Sequence, residues 1–271
     1  MKSKTPKHLR FSFFGQKIVL AVLSFLLTAT VQAQLTTIAY EGFNYGVGSL
    51  DGQNGGTGWV SPWVNDYWPG TSMVVNGTDM TYPGLTTSGG SAVWTSGGVG
   101  ISEDMRSLSL QNSGSIYLQF LCQFDSSSGA GTPNIRLFDD GNLTAGFGGN
   151  GGTYGGVMSI LDTSLQPASD GSSSSSASLS SLNLVVALFD YQNNTTEMWV
   201  NPDLSIFDYL NPSSPDVTAN FAPAFDAIAI YTRDPGSVDE IQIMSVPEPA
   251  SFSFLGLGVV LWKLRKRFAL D

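Results

Sequence analysis

The sequence predicts an all-β sandwich held between two terminal sorting segments. Three observations predict it. Short apolar runs alternate with turn residues through the middle of the chain, which is rich in Gly, Ser, Thr and Asn and has no sustained helical period. The N-terminus has the order of a secretory signal: a basic region, an apolar run, then small residues. The C-terminus has two closely spaced prolines, an apolar stretch and a basic end.

At the N-terminus, Lys2, Lys4, Lys7, Arg10 and Lys17 precede the apolar run Ile18–Ala29, expected to form a signal helix. Val31-Gln32-Ala33 supplies the small residues that a signal peptidase requires, so cleavage is expected after Ala33 and residues 1–33 form the signal peptide. The apolar run is too short for the ~20 residues that span a bilayer.

The sandwich is expected over residues 35–245. Its strand candidates are Thr36–Phe43, Ser91–Thr95, Ser115–Phe124, Asn134–Asp139, Gly156–Ile160, Asn183–Asp190, Thr195–Val200, Ala227–Thr232 and Val238–Met244. Tyr191-Gln192-Asn193-Asn194 is a polar turn between two of them, which predicts a hairpin. Gly146–Gly156 and Ala168–Ser181, the latter with a run of serines from Ser172, read as loops. No internal repeat or second domain boundary is visible.

Residues 246–271 follow. In Val246-Pro247-Glu248-Pro249-Ala250 the prolines block helix and strand, because each lacks an N–H and has a fixed φ. The apolar stretch Ser251–Trp262, expected to form a short helix, leads to Lys263, Arg265, Lys266 and Arg267, which the positive-inside rule keeps cytoplasmic. The segment resembles the PEP-CTERM sorting signal of Gram-negative bacteria, with Pro247, Glu248 and Pro249 matching its motif. The resemblance implies a membrane-embedded exosortase as processing partner, transient anchoring in the inner membrane and final display at the cell surface or in the extracellular matrix, in hosts that make exopolysaccharide. The apolar stretch is short against ~20 residues for a full span.

Composition excludes several functions. The whole chain carries a formal charge of −10, but nine of its twelve cationic residues lie in the terminal segments. Between them only Arg106, Arg136 and Arg233 oppose twenty acidic residues, a formal charge of −17. Such a surface repels phosphate backbones, so no nucleic-acid partner is expected. The one histidine, His8, lies in the signal, which removes Ser-His-Asp and Cys-His catalysis and histidine-based zinc sites from the sandwich. Cys122 is the one cysteine and, set in an alternating run, reads as a buried small hydrophobe.

Three segments carry a second resemblance. They are Tyr40-Glu41-Gly42-Phe43-Asn44-Tyr45 with Leu50–Trp59 and Trp63, then Leu184–Phe189 with Glu197–Pro202, then Phe225–Tyr231 with Val238-Asp239-Glu240-Ile241. In this order they resemble the concanavalin A-like, laminin-G-like modules of secreted bacterial proteins. The resemblance implies an antiparallel jelly roll with the first and last strands side by side.

Laminarinase-type hydrolases share that fold and need two carboxylates about 5–5.5 Å apart for retaining chemistry. None of the five glutamates has an aspartate two positions later, so the usual signature is missing, and no catalytic residue is assigned. Trp63, Tyr67 and Trp68, in a Gly-rich stretch with Trp59, form a candidate sugar-stacking platform, with a core plug at the end of the sandwich as the competing reading. Calcium is the metal that oxygen ligands favour. Two candidate sites offer them: Asp139, Asp140 and Asn142 in one loop, and Glu41 with Asp239 across the terminal strands. The first is equally an ordinary Asp-Gly hairpin turn. The expectation is an exported, non-enzymatic carbohydrate-binding or adhesive module with polysaccharide as a partner. The alternatives are an extracellular glycan-active enzyme and a structural envelope component.

Overall fold

A computed structural model describes residues 34–66, 71–95, 101–124, 134–149, 157–162 and 173–247. The signal helix and the C-terminal helix, with Glu248 and Pro249, lie outside the described residues. Among those described, every regular element is a strand: β1 (Thr36–Glu41), β2 (Gly48–Ser49), β3 (Val64–Asn65), β4 (Val74–Asn76), β5 (Ser91–Trp94), β6 (Ser102–Gln111), β7 (Ser115–Phe124), β8 (Asn134–Asp139), β9 (Asn142–Gly148), β10 (Val157–Asp162), β11 (Ser173–Ser178), β12 (Asn183–Asp190), β13 (Thr195–Val200), β14 (Val217–Ala219), β15 (Phe225–Thr232) and β16 (Gly236–Val246). No helix among the described residues is long and apolar enough to cross a membrane.

The strands form two antiparallel sheets. One has nine strands in the order β14-β13-β12-β7-β16-β5-β4-β2, with β1 also paired to β16. The other has seven, in the order β11-β10-β9-β8-β15-β6-β3. Period-two alternation turns Leu118, Phe120 and Cys122 of the first sheet and Ile135, Leu137, Phe147, Ile160, Ile228 and Ile230 of the second into one shared core. The first and last strands are neighbours, with Thr36 beside Ser245.

The two sheets treat their outward faces differently. On the nine-stranded sheet a second apolar cluster of Tyr117, Leu121, Leu184, Val186, Trp199 and Met244 is covered by Met80, Tyr82 and Leu85 from one loop and Leu204, Phe207 and Tyr209 from another. Its strands are therefore apolar on both faces, which explains near-continuous runs such as Asn183–Asp190. The outward face of the seven-stranded sheet is mixed instead, with Glu103, Arg136 and Ser159 beside Met105, Leu161 and Tyr231.

Seven strands lie outside the sequence reading: the short β2, β3, β4 and β14, and β6, β9 and β11. β6 was not anticipated, because Glu103, Asp104 and Arg106 are buried inside SEDMRSLSLQ and mask its alternation. Part of the expected Gly146–Gly156 loop, Gly146–Gly148, belongs to β9. The serine run read as a loop forms edge strand β11 against β10. Ser175 Oγ donates to the Met158 carbonyl at 2.9 Å, and a serine edge offers little apolar surface to another chain.

Candidate functional site

Four places hold the site residues, and they are built differently. At one end of the sandwich, β1 and β6 bring Glu41 and Arg106 together in a fully buried ion pair. Glu41 Oε1 accepts from Phe43 N at 2.8 Å, while Oε2 accepts from Tyr45 Oη at 2.6 Å, from Trp63 Nε1 at 3.0 Å and from Arg106 Nη1. Arg106 also donates to the carbonyls of Ser61 and Gly55 and to Asn54 Oδ1. Its guanidinium lies 5.1 Å from the centre of Trp59 and 5.8 Å from that of Trp63. Gly58 lets the chain pass here, since its φ is +79° and a Cβ would lie 1.8 Å from the Ile38 carbonyl oxygen.

This network corrects two expectations. Glu41 is not a calcium ligand beside Asp239, because both of its oxygens are engaged by Arg106 and its companions. Trp63 is not part of a stacking platform: it is 0% exposed, stacked 5.9 Å from Phe43, and plugs the sandwich end. Tyr67 and Trp68 lie outside the described residues.

The second place is a bulge in β16. Residues 236–238 pair with β5 and residues 241–245 with β1, and the register slips between Asp239 and Gln242. Glu240 has a φ of +53°, so the bulge re-aims two consecutive acids. Asp239 Oδ2 accepts from Met80 N at 2.9 Å and Oδ1 from Glu240 N at 2.8 Å. Glu240 accepts from Ser88 N at 2.7 Å and from Tyr40 Oη at 2.7 Å. Asp79 completes the group, taking Thr87 Oγ1 on one oxygen. One ligand oxygen from each of the three lies within 4.8 Å of the others. Burial pushes the Asp239 carboxyl up to about 8, against the two backbone donors, and the Glu240 charge adds to the rise. Glu240 is raised too, by burial first. Asp79 Oδ1 is buried with no hydrogen-bond donor while all three groups are ionised. Three carboxylates so placed need a shared proton or a cation between them.

The third place is the β8–β9 hairpin. Asp140 and Gly141 both have positive φ, +48° and +74°, which makes a two-residue type I′ turn. Asn142 Nδ2 donates to the carbonyls of Asp139 and Asp140, at 3.3 and 3.1 Å. Asp139, Asp140 and Asn142 thus do the work of a turn. Among the described residues, the metal-sized grouping is Asp79, Asp239 and Glu240.

The fourth place was not foreseen. Because Ile135, Leu137, Ile228, Ile230 and Leu108 face the core, Arg136, Tyr231 and Glu103 face outward on the seven-stranded sheet. Arg136 lies 3.4 Å over the Tyr231 ring and donates from Nη1 to Glu103 Oε1 at 2.9 Å. Tyr231 stands beside Glu103 in register, Ala229 beside Met105, Gly146 beside Arg136 and Ser159 beside Gly148. Ala, Gly, Ser and Met105 therefore surround the ring and the ion pair, and both Tyr231, at 8% exposed, and Glu103 are buried. One clue was present in the sequence: Arg136 is one of three cations in a strongly acidic domain, on a strand with clear alternation.

Core, register and face assignments define the described chain as a two-layer antiparallel β-sandwich. No family model matches the chain, and no curated protein does. Among solved structures it is similar to carbohydrate-binding module CBM66 from Bacillus subtilis, at 8% identity and a TM-score of 0.38, covering 68% of this chain and 95% of that one. It is also similar to a GH131 β-glucanase catalytic domain from Podospora anserina, at 14% identity and a TM-score of 0.39, covering 79% and 88%. A glycosyl hydrolase family protein from Mycobacterium fortuitum gives 11% identity and a TM-score of 0.41, covering 77% and 99%.

Proposed function

We propose that this chain is an exported surface or matrix protein whose sandwich binds polysaccharide without cleaving it. The observation that carries the reading lies on the outward face of the seven-stranded sheet, where the Arg136 guanidinium, its side chain 20% exposed, lies over the buried Tyr231 ring and pairs with Glu103. A guanidinium held over a ring turns its open face and N–H groups to a sugar, and the ion pair supplies both donors and acceptors. The one carboxylate of the patch is bonded to Arg136 rather than paired with a second acid at the separation that glycoside hydrolysis uses.

Tyr231→Ala, which removes the ring beneath Arg136, is expected to weaken polysaccharide retention in native affinity gels by roughly fivefold, the worth of about 1 kcal/mol of lost cation–π support. Unchanged retention by every polysaccharide tested would reject the patch, and reducing-sugar release would replace binding by hydrolysis. Export and sorting are read from the two ends. The mature protein is expected to lack residues 1–33 and to lose the tail beyond Pro247-Glu248-Pro249, which intact-mass analysis of the secreted protein checks.

The same reading assigns calcium to Asp79, Asp239 and Glu240, hard oxygen ligands of the kind this ion takes. The support is the buried Asp79 Oδ1 without a donor and the close approach of three carboxylates. Calcium at a hundred times its dissociation constant is expected to stabilise the fold by about 2.7 kcal/mol. Thermal melts with calcium and with chelator check this, and Asp79→Asn should abolish the difference. Equal midpoints with and without the ion would reject the site.

A further inference from the structure

The outward side of the nine-stranded sheet carries a cleft of about 480 Å³ between the end of β13, the start of β14 and the loop joining them. It falls within the size range of small-ligand sites, roughly 300–1,000 Å³. Trp199 and Phe207 give it an apolar floor, their rings 5.5 Å apart and edge to face. Asp203, Asp208 and Asp216 stand on its rim.

The loop is fixed before anything binds. Trp199 Nε1 donates to the Ser213 carbonyl at 2.9 Å, Tyr117 Oη to the Tyr209 carbonyl at 2.7 Å, and Tyr209 Oη to Gln119. Each rim aspartate spends one oxygen on a local backbone N–H: Asp203 on Ser205, Asp208 on Leu210, Asp216 on Val200. None of these bonds brings a positive charge. The arginines of the described residues are elsewhere: Arg106 is locked to Glu41, Arg136 to Glu103, and Arg233 does not line the cleft. Three negative charges therefore surround an aromatic floor with no cation in the lining.

We propose that this cleft is a second binding site, independent of the Tyr231 patch, and that it takes an amine-bearing sugar unit of a polysaccharide. The ammonium group supplies the missing charge, and the carbon face of the ring lies on Phe207. Asn211, Ser213 and Ser214, exposed in the lining, offer the short amide and hydroxyl groups that a polyhydroxylated ligand uses. Those groups favour a sugar over a lysine side chain, whose stem has nothing to hydrogen-bond.

The test titrates the full chain with a glucosamine tetramer and with its fully N-acetylated counterpart, at 0.15 M salt, where the Debye length of ~8 Å suppresses long-range attraction to an acidic protein. Intrinsic tryptophan fluorescence or calorimetry reads the binding. The amine form is expected to bind, and the acetylated form to bind about tenfold more weakly or worse. Asp203→Asn and Asp208→Asn should each weaken the amine form by about tenfold, the effect of losing one charged contact. Asp226→Asn, the same charge change on β15 of the other sheet, should not, and Tyr231→Ala should leave amine binding intact. Equal binding of the two tetramers would overturn the proposal, as would an Asp226→Asn effect matching those in the cleft. A lysine tetrapeptide bound as tightly, with the same aspartate dependence, would overturn it in favour of a peptide.

Discussion

Arg106→Ala is expected to lower the melting midpoint by on the order of 10 °C. The substitution leaves Glu41 fully buried with its charge uncompensated, and breaking a buried pair from one side costs about 3–5 kcal/mol. In a domain of this size each kcal/mol moves the midpoint by about 2–4 °C. The loss extends beyond the ion pair. Arg106 also ties Ser61, Asn54 and Gly55 to β6 and lies against Trp59 and Trp63, so the whole crossing of the sandwich end loosens. The double variant Arg106→Met with Glu41→Gln should regain roughly half of the loss, because no bare charge remains. Differential scanning calorimetry of the parent, Arg106→Ala and the double variant gives the answer. An Arg106→Ala midpoint within a degree of the parent's would contradict the network.

Trp63→Ala should be about as damaging for a different reason. Removing a fully buried indole leaves a cavity and typically costs about 3–5 kcal/mol. The Phe43 stacking and the Trp63 donor to Glu41 go with it. Because Trp63 is core, polysaccharide retention per folded molecule should stay at the parent level while the melt falls. A stacking platform would give the reverse pairing, with retention lost and stability kept. Chemical denaturation beside affinity gels separates them, and the opposite pattern would restore Trp63 as an exposed sugar contact.

Strands whose alternation was unbroken could be read directly. Ser115–Phe124, Asn134–Asp139, Asn183–Asp190 and Thr195–Val200 fall where the sequence placed them, because a single apolar face or a continuous apolar run dictates them. β6 was hidden because its inward positions include Asp104 and Arg106, whose partners, Ser102 apart, come from residues far away in sequence. Asp104 accepts from Ser72 Oγ and Met73 N, and Arg106 from β6 reaches Glu41 on β1. β11 was hidden because a serine run has no hydrophobic signal, and its pairing comes from the waiting edge of β10.

The sites followed the same logic. Asp239 was singled out, but its companions Asp79 and Glu240 required the bulge, which reverses the side that a residue faces and cannot be seen in a period-two pattern. Glu41 was misassigned because the expected pairing of β1 with β16 does not reveal that Arg106, from β6 of the other sheet, takes its carboxylate. Tyr231, Arg136 and Glu103 come from three strands and become a patch only once the register of β6, β15 and β8 is known.

The placement of β16 also has a mechanical side. The chain enters the sandwich at Thr36 and leaves it after Val246, at the same corner, with Thr36 beside Ser245. For a chain tethered by its tail and pulled through a ligand on the opposite sheet, tension runs lengthwise along β16. That strand is bonded to β7 along most of its length and to β5 and β1 on its other side. Force along a strand strains all those rungs together, in shear, and rupture requires many bonds to fail at once. Tension between the entry and exit points would instead peel β1 from β16 one rung at a time, beginning at the Thr36–Ser245 end. Anchoring by the tail alone leaves that weak seam out of the line of force.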